Sequence, residues 1–264
     1  MVPIPKKVSE RFIKKTKKFQ RVLKNASDRD VNEADTVTII SDILYEVFGF
    51  DKYSEITSEL AIRGTYCDLA VKIKDDVKYL IEVKAIGLHL KDHHLRQAVN
   101  YGANKGIQWV VLTNGLIWEI YNIRLEKSLQ FDKICRIEFL NINPRKSEDQ
   151  EILFLLCKEG LSKAVIEEYQ ERIKILNRFV VGAMILNSPT LELIRRELRR
   201  MTPGLRVDTS EIEAILRNEV LKREVIEGEV AKEAQKLLKK SSAKLLRKKT
   251  VSSENDINEK TEHI

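Results

Sequence analysis

The sequence predicts an α/β (α+β) fold, in which a mixed central sheet flanked by helices is followed by an all-α C-terminal region. Up to about residue 142 a helical pattern is followed by three strand patterns, a further helix and two more strand patterns. Beyond that point apolar residues recur every three to four positions and strand signals vanish. A chain with 43% hydrophobic and 33% charged residues, but only 10 Gly and 5 Pro, fits an ordered protein rich in helix.

The N-terminal part of the chain is predicted to hold two helices. Residues 1–27 form a basic helix with Phe12, Phe19 and Val22 as its apolar positions. The second helix begins a domain predicted to span residues 28–145. Its N-cap is either Asp30 or Asn32, and its stop is Gly49.

The next segment is predicted to form a β-hairpin that turns on Lys74-Asp75-Asp76. In this register Asp68 faces Glu82 across the two strands. One face of the hairpin is then continuously apolar. Its residues are Leu69, Val71, Ile73, Val77, Tyr79, Ile81 and Val83, and the three strand patterns of this region occupy residues 53–64, 65–73 and 76–87.

A helix is predicted within residues 89–106, followed by a second hairpin that turns on Asn114-Gly115. Trp109 and Trp118 fit the core faces of that hairpin. Residues 146–240 are predicted to form a helical domain that serves packing, dimerisation or DNA binding. It has a loop at Pro203-Gly204 and an N-cap at Asp208 or Ser210, and residues 241–264 are predicted to be a disordered tail.

Cysteine usage and hydropathy indicate the compartment. The cysteines Cys67, Cys135 and Cys157 are odd in number and scattered, so neither a disulfide framework nor a CxxC zinc site is expected. No apolar run approaches the roughly 18 residues that a membrane helix needs. We therefore expect a cytoplasmic protein without a membrane segment.

The net charge of +7 is unevenly distributed. Lys and Arg concentrate in "KKVSERFIKKTKKFQRVLK" near the start and in "AKEAQKLLKKSSAKLLRKKT" near the end. Basic clusters attract phosphate backbones through counterion release, so a polyanion is the predicted partner. The alternative, that these helix faces only keep the protein in solution, stays open.

Asp68, Glu82 and Lys84 share the other face of the predicted hairpin. Two carboxylates with Cβ atoms about 5 Å apart repel each other unless a cation neutralises them. Oxygen ligands of this kind suit Mg²⁺ or Mn²⁺, which keep several waters and accept phosphate oxygens. Lys84 would then orient or deprotonate the attacking water, or stabilise a pentacovalent phosphate. The simpler alternative is a strand whose polar side faces water.

These residues resemble a known signature. Asp68 followed by Glu82-Val83-Lys84 is similar to the D…ExK motif of the PD-(D/E)xK nuclease superfamily, with Cys67 in place of the Pro. Glu33, with Asp35 as its rival, resembles the helical acidic residue of that site. "LRQAVNYG" resembles the QxxxY element of RecB-like nucleases, and residues 28–142 resemble the N-terminal nuclease domain of type I restriction enzyme R subunits.

The resemblance implies a restriction-endonuclease-like core and a metal-dependent nuclease acting on DNA in restriction, defence or repair. Asp68, Glu82 and the carbonyl of Val83 would bind Mg²⁺ or Mn²⁺, Lys84 would act on the water or the transition state, and Glu33 would support the metal. Gln97 and Tyr101 would position the substrate or brace Lys84; at i, i+4 spacing they are expected on one helix face.

Other functions stay open from the sequence. A protein that retains the fold and binds DNA or a partner without catalysis is the main alternative, and RNA is a second substrate option. A zinc cluster formed by His89, His93 and His94 is a weaker alternative. His93 and His94 are adjacent, and adjacent residues on a helix point to different faces. No GxxxxGK[ST] loop is present, so a motor or specificity subunit would be a separate partner, and a homodimer is a further option.

Overall fold

The computed structural model describes residues 3–62, 65–125 and 129–241. Their contacts divide into two compact units, one within residues 1–170 and the other from Glu171 onward. The domain boundaries expected from the sequence stay predictions. The predicted disordered tail, residues 241–264, lies outside the described residues except for Ser241, which is helical.

Helix α1 (Lys6–Asp28) opens the first unit and packs one apolar stripe into its core. Phe12 and Phe19 are buried as predicted, but Val22 is 37% exposed and Leu23 is fully buried instead. The reason is helical geometry, because Val22 lies about 80° around the helix from Phe12 whereas Leu23 lies within about 20° of it.

Helix α2 (Glu33–Glu46) begins where the sequence placed one of its two candidate caps. The Asn32 side chain accepts a hydrogen bond from the Asp35 backbone N–H at 2.9 Å, so Asn32 is the N-cap. The helix ends shortly before Gly49, whose φ of +83° suits a residue without a Cβ.

A six-stranded mixed sheet forms the centre of the first unit and confirms the predicted fold class. The strands lie in chain order across the sheet. Only the pair β3 and β4 is parallel among the described strands, and α3 (Arg96–Lys105) connects the two. The strands are β1 (Ile56–Ile62), β2 (Thr65–Ile73), β3 (Asp76–Val83), β4 (Trp109–Thr113), β5 (Ile117–Leu125) and β6 (Leu129–Glu138).

The sequence prediction of five strands was wrong at β6, which pairs with β5 along its whole length. Its residues "LQFDKICRIE" place charges at positions 132, 133, 136 and 138, which obscures the alternation of a half-buried strand. Charged side chains are common on edge strands because they discourage pairing with other chains. The strand therefore lacked the hydrophobic signal on which its recognition depends.

Two apolar clusters cover the two faces of the sheet. The first cluster lies under α1 and α2 and includes Phe12, Ile40, Tyr79 and Trp118. The second cluster lies under α3 and contains Cys67, Ala70, Leu80, Leu95, Ala98, Val99, Tyr101, Ile107, Val110, Leu112, Tyr121 and Ile123. Trp109 also belongs to the first cluster, so both tryptophans pack in the core as predicted.

The predicted register of the β2–β3 hairpin is confirmed next to the site, where Leu69 pairs with Ile81. Towards the turn the register shifts between Val71 and Lys72. Val77, expected on the face with Tyr79, packs against the second cluster instead. A bulge of this kind, which reorients the side chains beyond it, leaves no signal in an alternating sequence pattern.

The remaining helices follow the sheet. Asp208, one of the two predicted candidates, is the N-cap of α9. Its backbone N–H also donates a reciprocal hydrogen bond to the Glu211 side chain. No helix among the described residues is both long and apolar enough to cross a membrane. The helices are α4 (Ser147–Phe154), α5 (Lys158–Leu161), α6 (Val165–Ile175), α7 (Arg178–Ile185), α8 (Ser188–Met201), α9 (Thr209–Ile215), α10 (Arg223–Ile226) and α11 (229–241).

Candidate active site at the β2–β3 hairpin

The hairpin brings Asp68 and Glu82 together one step beyond the paired residues Leu69 and Ile81. Asp68 is half-buried and its Oδ2 accepts a hydrogen bond from the Val83 backbone N–H at 2.7 Å. This bond fixes the carboxylate against the opposite strand. Glu82 is buried, with 6% of its surface exposed.

Lys84 follows β3 and lies over these carboxylates. Its Nζ donates to Glu82 Oε1 at 2.8 Å and to the Val83 carbonyl at 2.7 Å. Its backbone N–H donates to the Thr113 carbonyl at 2.8 Å, which continues the pairing of β3 with β4. The main chain at Lys84 is therefore held by the sheet, and the ammonium group is aimed back at the hairpin.

Glu33 reaches the same group from the first turn of α2. Its Oε2 lies 3.5 Å from Lys84 Nζ, and its side chain is 49% exposed. Asp35 is the other candidate that the sequence offers for this acidic residue, and it makes no ion pair with Lys84 among the described contacts. Its backbone N–H donates to the capping side chain of Asn32. Glu33 is thus the acidic residue of this helix that the fold brings to the site.

The carboxylates share a region of excess negative charge. Burial, helped by the charges of Asp68 and Glu33, raises the pKa of Glu82 to about 7, although the hydrogen bond from Lys84 and its charge oppose the shift. Burial likewise raises the pKa of Asp68, although the Val83 N–H and the Lys84 charge act against it. Ionisation of both carboxyl groups is therefore less favourable here than in water, and added positive charge would favour it.

The ammonium group of Lys84 is itself a cation bound by these groups. Burial lowers its pKa, but the hydrogen bond and charge of Glu82, with the charges of Glu33 and Asp68, outweigh burial and the net shift is upward. Two of the three predicted metal ligands, Glu82 and the Val83 carbonyl, thus already point at one positive centre. This donor set consists only of oxygen atoms, which fits Mg²⁺ or Mn²⁺.

A metal ion here would depend on ligands beyond acidic side chains. No three His, Cys, Asp or Glu side chains within the described ranges converge closely enough to hold a metal by themselves. The Val83 carbonyl and solvent or substrate oxygens would have to complete the coordination. Such an open, partly hydrated site is the usual arrangement for Mg²⁺ at phosphate groups.

Gln97 and Tyr101 lie apart from this constellation. Gln97 is exposed, whereas Tyr101 is buried in the second cluster, and neither hydrogen-bonds to Lys84 within the part of the chain that the structure describes. The two positions differ by only about 40° around the helix axis, but α3 buries Tyr101 and leaves Gln97 exposed near its start. Their predicted roles stay predictions.

The histidines before α3 form a small group of their own. The rings of His93 and His94 contact each other at 4.1 Å between centroids, and His94 Nδ1 accepts from the Lys91 N–H at 3.2 Å. Burial lowers the pKa of His94, as do the positive charges of His93, Lys84 and Lys91, while Glu33 raises it. The pKa of His94 therefore depends on the charges of Lys84 and Glu33 at the candidate site.

Asn114 supports the segment next to the site, a role that the sequence does not indicate. Its Nδ2 donates to the carbonyls of Ile86 and Leu88, at 3.2 and 3.0 Å, and thereby fixes the segment that follows Lys84. Its Oδ1 accepts from the Ile117 N–H at 2.9 Å and closes the β4–β5 turn. The Asn-Gly pair predicted the turn, but no local signal indicated the second contact.

Comparison with protein families relates part of this chain to a known domain. The model described as the Type I restriction enzyme R protein N terminus matches residues 39–137. These residues resemble that domain, and they include Asp68, Glu82 and Lys84 but not Glu33. Comparisons with curated proteins and with solved structures gave no significant match.

Proposed function

We propose, because residues 39–137 resemble the N terminus of the type I restriction enzyme R protein, that this chain is a metal-dependent nuclease that hydrolyses DNA phosphodiester bonds in restriction or defence. The observation that carries the proposal is the convergence of Asp68, Glu82, Lys84 and Glu33 at one end of the β2–β3 hairpin. A purely structural hairpin gains nothing from buried carboxylates whose pKa values are raised.

Each group would have a defined role. Asp68, Glu82 and the Val83 carbonyl would hold the divalent cation, and Glu33 would support it through water. When bound, such a cation supplies a Lewis acid that lowers the pKa of a bound water and neutralises phosphate charge. Lys84 would orient the attacking water and place positive charge beside the pentacovalent phosphate, where the developing negative charge is largest.

A motor and a specificity function are proposed to act together with this sequence. These 264 residues contain no phosphate-binding GxxxxGK[ST] loop, so movement along DNA would depend on a motor that lies outside them. A separate specificity subunit would select the DNA sequence. DNA is the proposed substrate.

The test compares cleavage of supercoiled and single-stranded DNA by the parent protein, Asp68→Asn and Lys84→Ala in Mg²⁺, Mn²⁺ or EDTA. We expect cleavage that needs the metal and falls at least about a hundredfold in both variants, since each loses a group that acts in the transition state. Asp76→Asn and Lys78→Ala are matched controls. They change the same residue types on the same hairpin, where Asp76 and Lys78 form a surface pair at 3.6 Å, and they should cleave normally.

Thermal unfolding separates catalysis from metal binding in these variants. A cation at about ten times its Kd stabilises the folded protein by about 1.4 kcal/mol, so the melting temperature of the parent should rise with Mg²⁺ and that of Asp68→Asn should not. Metal-dependent stabilisation and DNA binding without cleavage would contradict the nuclease and favour the catalytically silent DNA-binding protein. Equal cleavage by Asp68→Asn and the parent would contradict the assigned site.

A further inference from the structure

Helix α1 carries a row of positive charges that the fold leaves without partners. Lys14, Lys17, Arg21 and Lys24 are exposed, and none of them forms an ion pair or a side-chain hydrogen bond with any residue that the structure describes. At 100° per residue the four lie within about 80° of one another around the helix axis, and the row extends about 15 Å. We call these four residues the α1 basic row.

Three other basic residues of the same helix are paired with carboxylates. Lys15 and Lys18 both contact the carboxylate of Glu46, at 2.7 and 2.6 Å. Arg11 forms a two-fold hydrogen-bonded pair with Glu159, at 2.8 and 2.7 Å. The helix thus separates its cations into a paired side that joins it to the unit and the unpaired α1 basic row.

The helix is rigidly attached, so the row is presented in a fixed geometry. Phe12, Phe19 and Leu23 are buried in the first cluster. On the flank next to the row, Gln20 Nε2 donates to the carbonyls of Phe139 and Ile142, at 3.0 and 2.7 Å. Because its apolar side is occupied by the core, α1 does not have the free apolar face of a helix that binds a membrane surface.

The C-terminal part of α1 lies at the same edge of the sheet as the candidate active site. Leu23 packs closely on Gly115. A Cβ added to Gly115 would lie 2.8 Å from Cδ2 of Leu23. Asp30, just after α1, contacts Gly87, three residues beyond Lys84. The C-terminal end of the α1 basic row therefore lies near the sheet edge at which Lys84 and the hairpin carboxylates are located.

We propose that the α1 basic row binds the phosphate backbone of duplex DNA and guides it to this edge. The inference rests on the proposed function for its substrate. Evenly spaced, unpaired cations on a rigid helix release counterions from a phosphate backbone without reading sequence. Phosphate contacts of this kind fix the register of a protein on DNA. The row supplies what the acidic site lacks, an attraction for a polyanion.

The test measures duplex DNA binding in EDTA, without cleavage, over a series of salt concentrations. Lys14→Ala/Lys17→Ala is compared with Lys15→Ala/Lys18→Ala, which removes the same two charges, at the same spacing, from the paired side of the helix. Each lost phosphate contact lowers the salt slope by about 0.9, so we expect a decrease of about 1.8 in the first variant, or up to about 60-fold weaker binding at 0.1 M salt. The second variant should retain the parent slope.

Equal weakening in both variants would overturn the proposal, because net charge rather than position would then decide binding. Parent-like binding by Lys14→Ala/Lys17→Ala would overturn it as well. Melting temperatures confirm that both proteins are folded. Since binding is measured without metal, a protein that binds through the row but never cleaves would sustain this inference and contradict the proposed nuclease.

Discussion

Two buried glutamates on one face of the sheet lie in opposite electrostatic environments. Glu82 pairs with Leu112, which pairs with Glu119, so the two carboxylates lie in one row across three strands. The pKa of Glu82 is raised, mainly by burial, whereas the net shift at Glu119 is downward. Only Glu82 therefore lies where added positive charge would be strongly favoured, which is consistent with a cation site at the hairpin.

The downward shift at Glu119 results from its partners. Burial alone would raise its pKa, but Lys133 at 2.8 Å, the Tyr121 hydroxyl at 2.7 Å and Arg136 at 2.9 Å all donate to the carboxylate and outweigh burial. A register shift after Ile120 lets Lys133 and Arg136, three residues apart, face the same carboxylate. The charge of the Glu119 carboxylate is therefore compensated by protein side chains, without an added ion.

Glu119→Gln is expected to lower the free energy of unfolding by about 1–3 kcal/mol at pH 7, because it breaks a buried ion pair whose cations reach water. The folded pKa of Glu119 lies below the ordinary 4.5. Its stabilisation is therefore present above that value and is lost as the pH falls through the folded pKa. Urea unfolding at pH 7 and at about pH 3 should show the difference between the variant and the parent shrink in acid.

The control for this prediction is Glu138→Gln. Glu138 lies 3.6 Å from Arg136 and its side chain is 50% exposed, so its loss should have little effect. A deficit in Glu119→Gln that is the same at both pH values would contradict an electrostatic origin and indicate altered packing.

At the scale of elements, the β2–β3 hairpin is held in register although its turn is unfavourable. Ile73 pairs with Asp76, so Lys74 and Asp75 form a two-residue turn with φ values of +52° and +67°. Such turns favour Asn-Gly, because residues with a Cβ are disfavoured at positive φ. The apolar strands, and not the turn, therefore fix the register that brings Asp68 to Glu82.

Asp75→Gly is expected to raise the free energy of unfolding by about 0.5–1 kcal/mol, because it relieves the positive φ in the turn. Denaturant titration measures the change. The matched variant Asp76→Gly, at the adjacent strand position, should destabilise the protein instead, since glycine weakens a strand. Destabilisation by Asp75→Gly would contradict this prediction. It would show that the Asp75 side chain stabilises the folded protein by more than the positive φ destabilises it.

Elements with a strong local pattern could be predicted from the sequence. Alternation predicted the hairpin and its register at Leu69 and Ile81, and cap chemistry limited the start of α2 to two residues. Bulges arise only when strands pair, so the reversed face of Val77 had no local signal. The resemblance placed Glu33 at the metal site, but the sequence carried no signal for its contact with Lys84, because the two residues lie far apart along the chain.

At the scale of the whole molecule, the two units differ in how much apolar surface they bury. Both clusters of the sheet lie within the first unit. Among the described residues of the second unit, five apolar side chains are buried: Val180, Leu191, Ile212, Ala231 and Ala234. Its exposed apolar residues include Leu176, Met201 and Val220, at 62%, 80% and 62%. The stability of the fold should therefore reside in the first unit.

A fragment of residues 1–176, which keeps α6 whole, is expected to unfold cooperatively with a melting temperature within a few degrees of that of the full chain. It retains the sheet, both clusters and every residue of the candidate site. Circular dichroism and calorimetry measure the transition, and residues 171–264 alone serve as the comparison, for which no cooperative transition is expected because too little apolar surface is buried. A fragment that binds a hydrophobic dye and melts gradually would instead show that the second unit completes the core of the first.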